Sequence, residues 1–179
     1  MGTLTDSVEQ YFATEGWDVS RSANESALRM GVSTKNARWQ CVVSVDEEDG
    51  VVFFHSVCPL KASPDGRPRL AEFLMRLNRM IYLGHFVMDF DNGEIRFETY
   101  VYGVNGTIDN EAMESFVNRN IATMDKHVCS IARVISTEIP PAEAMTQVLT
   151  GMAAGGGYRY NRERGRQYGL SRDCNTMIR

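Results

Sequence analysis

The sequence predicts an α+β protein in which helices pack on one antiparallel sheet. Three segments alternate apolar and polar residues, as strands do: 26–33, 38–46 and 51–58. An Asn-Gly pair at 92–93 separates two further apolar alternations, which is typical of a β-hairpin. From Asn110 to Ser136 the apolar residues recur every three or four positions, as in an amphipathic helix. Strands followed by a long helix favour the α+β class.

The first helix is predicted from Leu4 to Glu15. Thr5 or Asp6 is a suitable N-cap because its side-chain oxygen can accept a hydrogen bond from the backbone of the first turn. Gly16 is expected to end the helix.

The three alternating segments predict a meander of antiparallel strands. If the acidic turn at 47–50 is a four-residue loop, Asp46 lies opposite Val51 and Val43 opposite Phe54. One face then carries Trp39, Cys41, Val43 and Val45, and the other carries Val42, Val51, Phe53, His55 and Val57. A slip of one residue would exchange the two sets. Since both faces are apolar, both need a cover.

A second helix and a hairpin follow the meander. Pro68 suits the first turn of this helix, and Gly84 is expected to end it. Asn92-Gly93 favours a two-residue type I′ turn because both positions need a positive φ. Pairing outward from that turn places Met88 opposite Phe97 and, on the other face, Asp89 opposite Arg96.

The C-terminal third is predicted to contain a long helix, a short helix and a tail. Asp109 is the expected N-cap of the helix from Asn110 to Ser136. Pro140-Pro141 opens the short helix. We predict one domain over residues 1–153 and a Gly/Arg/Tyr-rich tail over residues 154–179 that is flexible or ordered by a partner.

Composition and motifs argue against catalysis. The three histidines are scattered, none of the four cysteines forms a CxxC pair, and no phosphate-binding glycine motif is present. We therefore predict no enzyme, no catalytic residue, no cofactor and no metal. No apolar run is long enough for a signal peptide or a membrane span, which predicts a cytoplasmic protein without a membrane partner.

The tail offers the alternative function of an RNA-associated accessory protein. The formal net charge is −4, but residues 158–179 hold six arginines and two acidic residues, a net +4, so residues 1–157 carry −8. The arginines proposed to contact RNA are Arg159, Arg162, Arg164 and Arg166. Arginine binds phosphate and the interleaved tyrosines can stack on bases. An acidic body makes nucleic acid the less favoured partner.

The apolar second face of the meander favours a protein partner. Its candidate contact residues are Val42, Val51, Phe53 and Val57. Burial under a helix or a second subunit would explain the same residues without a partner protein. A peptide docked on the face, or paired along a sheet edge, is the functional interpretation.

The segment from Leu70 to Tyr102 resembles the YbjN family. The positions that carry the resemblance are Leu77-Asn78, Gly84-His85-Phe86 and Asn92-Gly93-Glu94-Ile95-Arg96-Phe97, with the long helix after Asp109. The resemblance extends over residues 4–137 and implies a fold like that of type III secretion chaperones. It also implies a non-enzymatic chaperone, adaptor or regulator that forms a homodimer and binds a protein or peptide client.

Overall fold

The computed structural model describes residues 3–21 and 27–154, the last three by their backbone only. Within these ranges the chain forms four helices and six strands. The elements are α1 (Leu4–Thr14), β1 (Val19–Arg21), β2 (Leu28–Ser33), β3 (Arg38–Asp46), β4 (Val51–Lys61), α2 (Arg67–Asn78), β5 (His85–Met88), β6 (Glu94–Tyr102), α3 (Asn110–Ser136) and α4 (Pro141–Ala154). A short 3₁₀ turn at Pro64–Gly66 precedes α2.

The strands form one antiparallel sheet in the order β1-β2-β3-β4-β6-β5. The meander is β2-β3-β4, and the hairpin β5-β6 joins it through pairing of β6 with β4. This confirms the predicted α+β class and the predicted combination of a meander and a hairpin. The Gly/Arg/Tyr-rich tail lies outside the described residues, so its predicted flexibility stays a prediction.

The predicted register of the meander is confirmed. Asp46 pairs with Val51 and Val43 pairs with Phe54. The side chain of Asp46 holds the acidic turn by accepting hydrogen bonds from the backbone amides of Glu48 and Asp49, at 3.0 and 3.1 Å. This turn chemistry fixes the loop at four residues, and loop length in turn fixes which side chains share a face.

The N-cap of α1 differs from the prediction. Thr3, rather than Thr5 or Asp6, is the cap, and its hydroxyl accepts a hydrogen bond from the Asp6 amide while Asp6 accepts one from the Thr3 amide. This reciprocal capping box satisfies two helix-end donors at once. Thr5 instead donates to the Glu47 carboxylate, which also accepts from the amides of Leu4 and Thr5. The acidic turn therefore anchors the positive end of α1.

The predicted register of the hairpin was wrong by two residues. Met88 pairs with Ile95, not with Phe97, and the Asp89 amide donates to the Glu94 carbonyl oxygen, which leaves a loop of four residues rather than two. The Asp89 carboxylate accepts from the amides of Asp91 and Asn92, and Gly93 alone in the loop has a positive φ, of 75°. The loop is therefore not a type I′ turn, which needs two such positions. Because the shift is an even number, the apolar residues keep their face.

One hydrophobic core joins the helices to one face of the sheet, which we call the inner face. The buried side chains that the helices contribute include Phe12, Phe73, Leu77, Val117 and Met124, and those of the strands include Met30, Cys41, Val43, Phe54 and Phe97. Their alternation along each strand leaves the intervening residues on the other face.

Asn120 fastens α3 to the middle of the sheet. Its side-chain nitrogen is fully buried and donates to the carbonyl oxygens of Phe54 and Phe97 and to the hydroxyl oxygen of Thr99, at 3.0, 3.1 and 3.0 Å. Phe54 belongs to β4 and the other two residues to β6, so one amide connects the long helix to both strands. Buried hydrogen bonds of this kind specify how a helix lies on a sheet.

Replacing Asn120 with Ala should destabilise the fold by about 2–3 kcal/mol, because the buried acceptors lose their donor and a small cavity is left. Urea unfolding followed by circular dichroism measures this difference. Ser115→Ala, an exposed position on the same helix, is the matched control and should stay within about 0.5 kcal/mol of the unchanged protein. Equal stability of Asn120→Ala and the control would contradict the anchoring role.

Candidate functional site

The sheet face opposite the helices, which we call the open face, is the candidate site. Its residues from β3, β4 and β6 are Val42, Ser44, Val51, Phe53, His55, Val57, Arg96, Glu98, Tyr100 and Tyr102. Among the described residues, Val51 alone of the apolar side chains of this face is buried, and none of the others belongs to the hydrophobic core or packs against it. The middle strands of the sheet thus present an apolar surface that the described helices do not cover.

An aromatic strip crosses the open face. It consists of Phe53, His55, Tyr100 and Tyr102. The Phe53 ring stacks on His55, with centroids 6.3 Å apart, and contacts Tyr100 at 6.5 Å. Tyr100 meets Tyr102 edge to face at 6.1 Å. The two tyrosines are 55% and 64% exposed, so the strip is a surface rather than a core.

The structure places all four sheet residues proposed from the sequence on this face. Val42, Phe53 and Val57 are half-buried and flank the aromatic strip. Val51 is only 5% exposed, so it supports its neighbours and offers little surface of its own.

The sequence patterns did not identify Tyr100 and Tyr102 as candidate site residues. The signal was present, since both alternate with Thr99 and Val101, which point to the inner face. What was lacking was the pairing of β6 with β4, which brings the two tyrosines next to Phe53.

Two histidines flank one carboxylate beside the aromatic strip. His55 Nδ1 lies 3.1 Å from Glu98 Oε1, and His85 Nε2 lies 3.9 Å from Glu98 Oε2. The hydrogen bond from His55 lowers the pKa of Glu98 below its ordinary value, and the charges of both histidines act in the same direction. Glu98 is therefore a fixed negative charge within an apolar surface.

Two observations on the described residues concern metal binding and thiol reactivity. Among residues 3–21 and 27–154, no group of three His, Cys, Asp or Glu side chains is placed to hold a metal ion. Burial raises the pKa of the Cys41 thiol to about 12 and that of Cys58 to about 11, so both stay protonated at neutral pH. A protonated buried thiol is a poor nucleophile.

The arginines of the alternative site lie beyond the described residues. Arg159, Arg162, Arg164 and Arg166 all belong to the tail, and RNA contact through them stays a prediction. In the part of the chain that the structure describes, no helix is both long and apolar enough to cross a membrane.

Comparison with known proteins identifies the family. The YbjN family model, described as "Putative bacterial sensory transduction regulator", matches residues 5–131. The chain belongs to the YbjN family. The crystal structure of YbjN from E. coli resembles this chain with a TM-score of 0.54 and 15% identity, over 69% of this chain and 87% of the other. The open face and the hairpin lie inside the matched residues.

A second similar structure is that of the ExsC–ExsE complex. Its TM-score is 0.47 and its identity 14%, over 71% of this chain and 95% of the other. No curated protein matches the sequence.

Substituting His55 with Asn should raise the pKa of Glu98, because the variant removes both the hydrogen bond and the positive charge that favour the carboxylate. A carboxyl-detected NMR titration measures this pKa. His85→Asn is the matched control and should have a smaller effect, since that ring lies farther from Glu98.

The interaction between His55 and Glu98 also makes the stability of the fold depend on pH. Because the pKa of Glu98 is lowered on folding, the ionised carboxylate stabilises the folded state. This stabilisation is present above the ordinary carboxyl pKa and is lost as the pH falls through the folded-state pKa. An unchanged Glu98 pKa in His55→Asn would show that the two side chains do not interact in solution.

Proposed function

We propose that this YbjN-family protein is a non-enzymatic chaperone, adaptor or regulatory protein that binds a partner protein or peptide on its open face. The observation that carries the proposal is the aromatic strip, which lies on a sheet face that no described helix covers. Contiguous exposed apolar surface in a folded protein marks interaction sites.

The composition of the open face supports protein recognition in particular. Aromatic side chains are enriched at the energetic centre of protein interfaces, where they fill pockets of the partner. Phe53, Tyr100 and Tyr102 are large, rigid and adjacent, so their burial against a partner costs little side-chain conformational entropy. Glu98 and the exposed Arg96 border them and supply the charges that orient a partner.

The partner that we propose is a different protein rather than a second copy of this chain. Both charge signs and two histidines border the strip, and such polar borders are typical of non-obligate interfaces, whereas permanent homodimer interfaces are more apolar. The family resemblance also implies a homodimer, and a second copy of the chain on this face is the competing occupant. We place this function in the cytoplasm, where a regulator would meet its partner.

Sheet-edge pairing is a second route for a bound peptide. In the described part of the sheet, β5 pairs only with β6, but the Asn78 side chain occupies the other edge: its nitrogen donates to the Phe86 carbonyl oxygen at 2.8 Å and its oxygen accepts from the Phe86 amide at 2.7 Å. β5 spans the four residues His85–Met88, and short edge strands resist unwanted pairing. The broad apolar face is therefore the better candidate.

Phe53→Asp and Tyr100→Asp should each abolish capture of the partner, because each places a charge in the centre of the apolar contact. Affinity capture from a bacterial lysate, quantified by mass spectrometry, measures this loss for the proteins that the unchanged protein enriches. Met75→Asp is the matched control, since Met75 is 72% exposed on α2 and away from the open face.

Two outcomes would count against the proposal. If both variants retain every captured protein while circular dichroism shows that they are folded, the open face is not the binding surface. If light scattering shows a dimer that Tyr100→Asp converts to a monomer, the occupant is a second copy and the proposed partner is wrong.

A further inference from the structure

A small pocket lies on the helical side of the sheet, away from the open face. The end of α2, the turn after it and one side of α3 line a half-open pocket of about 190 Å³. Leu77, Met80 and Ile81 form its apolar part, and Arg119, Lys126 and His127 complete it from α3. Since α3 lies against the inner face through Asn120, the pocket and the open face are on opposite sides of the sheet.

His127 is the unusual residue of this pocket. It is 3% exposed, contacts the Phe86 ring edge to face at a centroid distance of 6.1 Å, and lines the cavity. Its ring makes no hydrogen bond to any residue that the structure describes. The ring lines the pocket and its nitrogens are not hydrogen-bonded to the described protein, so they are available to a molecule that enters the pocket.

The protonation of His127 defines what it can offer to a ligand. Burial, together with the nearby charge of Lys126, lowers the pKa of the imidazole to about 4. At neutral pH the ring is uncharged and presents one N–H donor and one nitrogen acceptor.

Two cations border the same pocket without a counter-charge. Arg119 and Lys126 are exposed on α3, seven positions apart, which is two helical turns and places them on the same side of the helix. The ion pairs found within residues 3–21 and 27–154 all involve other cations. An apolar cavity with unpaired cations at its rim is complementary to an anion that carries an apolar group.

We infer that this pocket binds a small organic anion, namely a carboxylate attached to an aromatic or branched aliphatic group. Leu77, Met80 and Ile81 contact the apolar group, Arg119 and Lys126 bind the carboxylate, and His127 supplies a hydrogen bond inside the cavity. The volume of about 190 Å³ suits a small molecule with a single apolar group.

The test uses the full-length protein and two probes, 3-phenylpropionate and 4-methylpentanoate. We expect at least one of them to bind saturably in an NMR titration, shifting the His127 ring signals together with the amides of Met80 and Ile81. The uncharged amide of the same acid should bind about tenfold more weakly, because it loses the charge-assisted contacts with the rim.

Variants locate the binding. Arg119→Gln and Lys126→Gln should each weaken the carboxylate several-fold, and Arg133→Gln is the matched control because it removes an exposed arginine of the same helix outside the pocket. His127→Phe should abolish binding in the folded protein. If that variant does not fold, the His127 ring shifts of the unchanged protein still report the contact.

Several results would overturn the inference. They are the absence of a saturable shift with both probes, equal affinity for acid and amide, or equal weakening by Arg133→Gln and Arg119→Gln. Phe53→Asp should bind the probe normally, so failure of the open face as a partner site and failure of this pocket are distinguishable.

Discussion

Because the helices share a core with only one face of the sheet, alternate residues of each strand meet different surroundings. Phe54 and Phe97 are enclosed in the core, whereas their neighbours Phe53 and Glu98 lie on the open face. A sheet with helices on one side is stable when the other face is polar. Here that face carries an aromatic strip, so the folded protein exposes apolar surface that its own core does not bury.

Polar contacts fix how the helices lie on the inner face. Apolar packing tolerates small rotations of a helix, but the two N–H groups of the Asn120 amide, which are shared among three acceptors, allow one position of α3 over β4 and β6. At the sheet end, Glu47 holds the first turn of α1 through backbone amides that the helix itself leaves unpaired. Polar side chains from the turns and from the core therefore determine the position of the helices on the sheet, which hydrophobic packing alone would not specify.

The fold was predictable where the controlling interactions are local. Alternation identified the strands, and the acidic turn after Asp46 fixed the register of β3 and β4 because its hydrogen bonds stay within four residues. The hairpin shows the limit of this reasoning. Asn92-Gly93 favoured a two-residue turn, but the Asp89 carboxylate forms the turn earlier and widens the loop.

The candidate sites were predictable only in part, because they depend on contacts between distant segments. Alternation placed Phe53 on the second face of the meander. The neighbouring Tyr100 and the approach of His85 to Glu98 follow from pairing of β6 with β4 and β5, which a single sequence does not specify. The pocket depends on the packing of α3 beside α2, and nothing local in the sequence distinguishes His127 from an ordinary core histidine.

The geometry also limits how the two proposed sites can influence each other. Arg119 borders the pocket, and the next residue, Asn120, donates to backbone carbonyls of β4 and β6, the strands that carry Phe53 and Tyr100. The Asn120 side chain is buried and its nitrogen donates to the backbone of both strands, so this connection has one arrangement and not two. Coupling between sites requires an element with two states that both ligands bias. On the described residues, therefore, a ligand in the pocket stabilises α3 on the sheet and leaves the open face in the same conformation.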